Sequence, residues 1–102
     1  RRNKLRLVAF PRGRSSGHFL ERGRLRSREG RRSWSLAIRD TRWRTWSIQA
    51  ALGSLRHPFR PCEVRIDGRR LPPAFWRYEP KARVLGADFI VHRRARLSVT
   101  AC

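Results

Sequence analysis

The apolar residues of this sequence recur at every second position. Leu5 and Leu7, Trp34, Leu36 and Ile38, Trp46, Ile48, Ala50 and Leu52, Cys62, Val64 and Ile66, Phe89 and Val91, and Leu97 and Val99 all alternate with polar or charged neighbours. Successive side chains of a strand point to opposite faces, so this period describes strands with one face buried and one face wet. Turn-forming residues interrupt the runs at Pro11 to Gly17, Arg28-Glu29-Gly30, Arg39-Asp40-Thr41, Gly53-Ser54, His57-Pro58, Asp67-Gly68, Leu71-Pro72-Pro73, Glu79-Pro80-Lys81 and Gly86. Short strands separated by turns about every ten residues predict an all-β fold, an antiparallel β-sandwich of seven or eight short strands. At 102 residues the whole chain, 1–102, is expected to form one such domain.

The sharpest local expectation is a hairpin turning at Asp67-Gly68, between Cys62 to Ile66 and Arg69 to Leu71, because both turn residues tolerate positive φ. A second hairpin is expected at Glu79 to Arg83, between Trp76-Arg77-Tyr78 and Val84-Leu85. Trp43 to Leu52 also carries apolar residues three and four apart, which admits a helix, but Trp, Thr and Ile favour a strand and Gly53 ends the run. As a strand it would place Arg44 on the same face as Trp46 and Ile48, so a bulge or a turn is expected between Arg44 and Trp46. The predicted core comprises Trp34, Leu36, Ile38, Trp46, Ile48, Val64, Ile66, Trp76, Tyr78, Val84, Phe89, Val91, Leu97 and Val99.

Charge is the second constraint. Lys+Arg number 26 against 7 Asp+Glu, a formal net charge of +19, and all but Lys4 and Lys81 of the basic residues are arginine. Such a field makes non-specific polyanion binding an expected property. Two stretches concentrate the charge, Arg22 to Arg32 and His92 to Arg96, yet arginines occur in almost every strand and turn and do not track one face of the sequence pattern. Even dispersal of arginine at the expense of lysine is also what a GC-biased coding sequence yields. The longest uncharged run, Thr45 to Leu55, is eleven residues, too short to span a bilayer, so no membrane partner is expected. Cys62 and Cys102 could pair, but two cysteines fall far below the density of a stapled secreted scaffold, and the expectation is a small buried thiol and a frayed one. Localisation stays open, with the cytoplasm the default. The sequence opens Arg1-Arg2-Asn3-Lys4 and contains no Met, which reads as a chain beginning in mid-protein.

Catalytic chemistry is thinly provided. His18, His57 and His92 are far apart and form no metal-binding spacing, Ser15-Ser16-Gly17-His18 reads as a polar turn, and the carboxylates read as ion-pair partners. No catalytic residue, metal ligand or cofactor is expected. Gly13 and Gly17 could belong to a phosphate-binding loop, but the Gly-Lys-Ser/Thr ending is absent. A basic nucleic-acid-binding module is the competing function, with Arg39, Arg42 and Arg44 contacting phosphates and Trp43 and Trp46 stacking bases. Against it, the tryptophans occupy apolar positions of the alternation, where core packing explains them. A weaker possibility makes Trp43 or Trp76 a sugar-binding platform.

The order of motifs resembles the C-terminal β-sandwich appended to glycoside hydrolase family 31 enzymes, the α-glucosidases and α-xylosidases. Val8-Ala9-Phe10-Pro11-Arg12-Gly13 and Ser16-Gly17-His18-Phe19-Leu20-Glu21-Arg22-Gly23 resemble that module's opening pattern. Strands at Arg32 to Arg39 and Thr45 to Leu52 would follow, then Gly53-Ser54 and Pro58-Phe59-Arg60-Pro61. Val64 to Leu71 looks like its Asp/Asn-Gly hairpin, and Trp76-Arg77-Tyr78-Glu79-Pro80 with Arg83-Val84-Leu85 like its closing strand and turn. The resemblance spans about Leu7 to Val99, and departs at Glu21-Arg22-Gly23, where the family's acidic pair before glycine is missing and an arginine stands in its place. It implies a non-catalytic accessory domain, a fragment from the C-terminal end of a larger enzyme, whose partner is the catalytic domain of the same polypeptide. A glycan is a further implied partner.

Overall fold

The computed structural model describes residues 4–20 and 22–102. It is all-β, with eight strands: β1 (Lys4–Ala9), β2 (Arg14–Phe19), β3 (Gly23–Gly30), β4 (Ser33–Ala51), β5 (Pro61–Ile66), β6 (Arg69–Arg70), β7 (Trp76–Glu79) and β8 (Val84–Ala101). Short 3₁₀ turns occupy Leu52–Ser54 and Pro73–Phe75. All pairings are antiparallel except β1 with β4, which is parallel. No described helix is long and apolar enough to cross a membrane.

Two strands are not short. β4 has 19 residues and β8 has 18, and they pair from Ser33↔Thr100 to Ala51↔Val84. Extended at about 3.3 Å per residue, β4 alone would span roughly 60 Å, yet the longest extent of the molecule is 33 Å. Both strands therefore fold over at a shared corner. The register passes from Arg39↔Arg94 to Trp43↔His92, so Asp40, Thr41 and Arg42 of β4 stand opposite Arg93 alone, which has φ 76°. The corner stands in place of the bulge or turn expected between Arg44 and Trp46, which pair regularly with Val91 and Phe89. Past it the pair continues as the other layer of a sandwich-like domain. One layer runs β2-β3-β4-β8-β5-β6, and the other is built from β1 and β7 flanking the far halves of β4 and β8.

Alternation decides what lies between the layers. Even positions of β4 from Trp34 to Ala50 and odd positions of β8 from Leu85 to Val99 are buried, apart from the exposed corner residues Arg42 and Arg93. Trp34, Leu36, Ile38, Trp46, Ile48, Val64, Phe89, Val91, Leu97 and Val99 are core residues as expected, joined by Leu52, Leu55, Leu85 and three alanines. Val84 sits one position off the buried parity, and Leu85 takes its place; Val84, Ile66, Trp76 and Tyr78 are half-buried. The Trp34 indole donates to Ser27 Oγ at 2.8 Å, and Phe19 meets Trp46 edge-to-face with centroids 5.0 Å apart. Phe19 reaches Trp46 by lying across Gly23, its register partner, where any Cβ would collide with the ring. The hairpin at Asp67-Gly68 forms as expected, with φ of 51° and 81°.

Other local expectations fail. Arg39-Asp40-Thr41 and Gly86, expected as turns, lie inside β4 and β8. Most of the turn expected over Pro11 to Gly17, with the polar turn at Ser15 to His18, is the edge strand β2; five of its six residues are exposed, which erased the apolar alternation. Cys62 and Cys102 form a disulfide instead of remaining free thiols. The physical reason is register: Pro61 pairs with Ala101 and Glu63 with Thr100, leaving Cys62 in the irregularity between them with its Cα 4.7 Å from that of Cys102, within bridging range.

Candidate polyanion-binding face

β3 reads Arg24-Leu25-Arg26-Ser27-Arg28, and its inward side is fixed by Leu25 and Ser27, which border Trp34 and Leu36. The three arginines therefore point outward. Register then decides what they stand beside. One row across the sheet is His18, Arg24, Arg39 and Arg94; the next is Ser16, Arg26, Ala37 and Arg96; the third is Arg14, Arg28, Ser35, Ser98, Arg65 and Arg70. Nine arginines thus share one face, because β3 and β8, which carry the two charge-dense stretches, both flank β4. The dispersal expected of the arginines holds for the 13 of the 22 described ones that lie elsewhere, but strand adjacency gathers these nine, which the linear sequence scatters, onto one face.

Neighbouring strands lie about 4.8 Å apart and alternate residues about 6.6 Å apart along a strand, so Arg24, Arg39 and Arg94 are direct cross-strand neighbours. Like charges in that position repel, and salt weakens the repulsion. Carboxylates relieve little of this. Glu63 pairs with Arg65 at 2.7 Å and Arg70 at 3.2 Å, and hydrogen bonding from Arg65, then from Arg70, holds its carboxyl below the usual range against desolvation. The other seven arginines of the face have no carboxylate partner among the described residues. The outer face of the second layer is mixed by contrast, with Thr45, Ser47 and Gln49 central and Arg77 paired to Asp88.

The residues expected to bind nucleic acid are split by the corner. Arg39 lies on the arginine face, and Arg42 is exposed at the corner. Trp43 is 51% exposed on the outer side of the second layer, beside His92. Arg44 and Trp46 are buried against Asp40: the Trp46 indole donates to Asp40 Oδ2 at 3.0 Å, and Arg44 Nε lies 2.9 Å from the same oxygen. That approach is off the N–H axis, so it is an ion pair and not a directed hydrogen bond. Asp40 Oδ1 also accepts from the Thr41 N–H at 2.6 Å. Sequence reasoning missed Asp40, which looked like one turn carboxylate among arginines. The arginine face was signalled by the strict alternation of Arg24, Arg26 and Arg28.

Two depressions mark the described surface. A cleft of about 210 Å³ between β1 and the β2–β3 pair is lined by Phe10, Leu25, Ser27, Trp34 and similar groups, with no titratable side chain. The other surrounds Glu29, whose carboxylate accepts the backbone N–H groups of Gly13 at 2.9 Å, Arg56 at 2.9 Å and His57 at 2.7 Å. The Gly13 amide is thereby committed to Glu29, which weakens the phosphate-loop reading. Burial opposes the charged form of Glu29, but the three donors outweigh it and lower its pKa. No group of three or more His, Cys, Asp or Glu among the described residues is placed to hold a metal ion.

Glu29→Gln puts an amide donor against a backbone donor and is expected to cost about 1–3 kcal/mol at neutral pH. A carboxyl with a lowered folded pKa contributes stability that is complete above its unfolded value, about 4.3, and is lost as pH falls through the folded value. Urea midpoints of the two proteins should therefore converge as pH drops toward about 3. A gap unchanged at that pH would show that the carboxylate charge is not what binds the two loops. A comparison of the chain with protein-family models and with curated proteins finds no match.

Proposed function

We propose that this chain is a non-catalytic accessory domain of a glycoside hydrolase, packing on and stabilising a catalytic barrel. The observation that carries this reading is the placement of the resembling motifs on consecutive elements of an all-β domain. Phe10 to Gly13 connects β1 to β2, Phe19 and Gly23 open the β2–β3 hairpin, Val64 to Leu71 forms the β5–β6 hairpin, and Trp76 to Leu85 forms the β7–β8 hairpin. Glu21, part of the departure from the family pattern, lies outside the described residues. Val8 and Phe10, 62% and 73% exposed at the cleft, supply apolar surface of the kind that packs on a neighbouring domain.

The purified chain is expected to unfold cooperatively and to hydrolyse no α-glucoside. Turnover that a point substitution within the chain abolishes would overturn the reading. Nucleic-acid binding is the second reading, favoured by the arginine face. Its stacking component has lost Trp46 to the core and retains only Trp43, which lies on the other layer.

A further inference from the structure

We propose that the outer face of the β2-β3-β4-β8-β5 layer is a binding surface for an anionic polysaccharide, held by Arg24, Arg39 and Arg94 of the first row, Arg26 and Arg96 of the second and Arg28 of the third. Coding bias accounts for arginine in place of lysine, but not for seven guanidinium groups with no carboxylate partner among the described residues on one side of a sheet while the outer side of the other layer is mixed. The directly opposed arginines Arg24, Arg39 and Arg94, and Arg14 and Arg28, raise the energy of the free domain, and a polyanion laid across them removes that cost as it binds. Arginine also presents a planar fork that matches carboxylate and sulfate groups in pairs.

Several observations narrow the occupant. The outward positions of these rows carry Arg, Ser, Ala and His18, with no Phe, Tyr or Trp. A protein that holds single-stranded nucleic acid stacks bases on such aromatics, so this face is built to read charge along a chain and not bases. The Cys62–Cys102 disulfide belongs to an oxidising compartment, where polysaccharides and not nucleic acids are the common extended polyanions. The choice of polysaccharide further rests on the accessory-domain reading; the location of the binding face does not.

The test uses the 102-residue chain. Binding to polygalacturonate and to dextran sulfate is measured by titration at several salt concentrations, with neutral dextran and duplex DNA as comparison arms. Arg24→Gln/Arg39→Gln/Arg94→Gln should lower affinity for the acidic polysaccharides by at least about tenfold and flatten the salt dependence. The triple from the next two rows, Arg26→Gln/Arg28→Gln/Arg96→Gln, should do the same. A control with the same charge loss elsewhere, Arg6→Gln/Arg31→Gln/Lys81→Gln, should change affinity less than about threefold. All nine positions are exposed, so the variants should keep the parent's circular dichroism. Equal losses in control and face triples would overturn the face as a site, as would failure of the parent to bind either acidic polysaccharide. Duplex DNA bound more tightly than both at matched salt would overturn the occupant and leave the face. Hydrolytic turnover by the chain would overturn the accessory reading alone.

Discussion

Asp40→Ala is expected to destabilise the domain by about 3–5 kcal/mol, the range seen when one partner of a buried ion pair is removed. Asp40 is 4% exposed and serves three structures at once. It neutralises buried Arg44, accepts the Trp46 indole N–H, and accepts the Thr41 amide where β4 turns from one layer to the other. Alanine leaves a largely buried guanidinium and an indole N–H without their partner, and each carries a desolvation cost. The charge component can be isolated. Arg44→Met in the Asp40→Ala background should recover a measurable part of the loss, because the orphaned cation is removed with a side chain of similar length. Arg44→Met alone should cost less than Asp40→Ala, since Asp40 keeps its N–H donors. Urea unfolding of the four proteins completes the cycle. A loss below about 1 kcal/mol for Asp40→Ala, or no recovery in the double variant, would remove Asp40 from the centre of the corner.

The disulfide gives the second large effect. Cys62 and Cys102 are 40 residues apart, and closing a loop of that size lowers the entropy of the unfolded chain by an amount worth about 4 kcal/mol. Cys62→Ser/Cys102→Ser should therefore lower Tm by on the order of 15–25 °C. The native ladder should survive, because β5 remains hydrogen-bonded to β8 through Glu63, Val64, Arg65 and Ile66. Both cysteines are exposed, so a reductant should reproduce the shift in the parent and leave the double variant unaffected. A loss of a few degrees or less would mean that the unfolded chain is already constrained by other means.

Much of the fold was legible because the β4 and β8 alternation is nearly perfect. Once Trp34, Leu36 and Ile38 are assigned to one face, layer packing follows from period two. Asp67-Gly68 was legible for a different reason, since few dipeptides accept positive φ at both positions. The corner was not. Arg39-Asp40-Thr41 resembles the end of a strand, and only tertiary pairing with β8 reveals that β4 continues beyond it. β2 escaped notice because an edge strand with one half-buried residue, Phe19, needs no apolar stripe. The arginine face was hidden more deeply: each strand shows which residues point outward, but strand order is set by contacts between segments as distant as Arg39 and Arg94. The disulfide likewise depended on a register that no local pattern encodes.

The shared β4–β8 pair has a consequence for the order in which the chain can be made. β8 is the last described strand to be synthesised, and before it emerges β4 has β3 and β1 along one side only. A 19-residue edge then stands open, rich in Trp, Leu and Ile, and an open edge of that kind pairs readily with other chains. The nascent chain passes through its most adhesive state just before it can fold. The repulsion among the arginines of β3 and β4, a burden in the finished domain, keeps such chains apart during that interval.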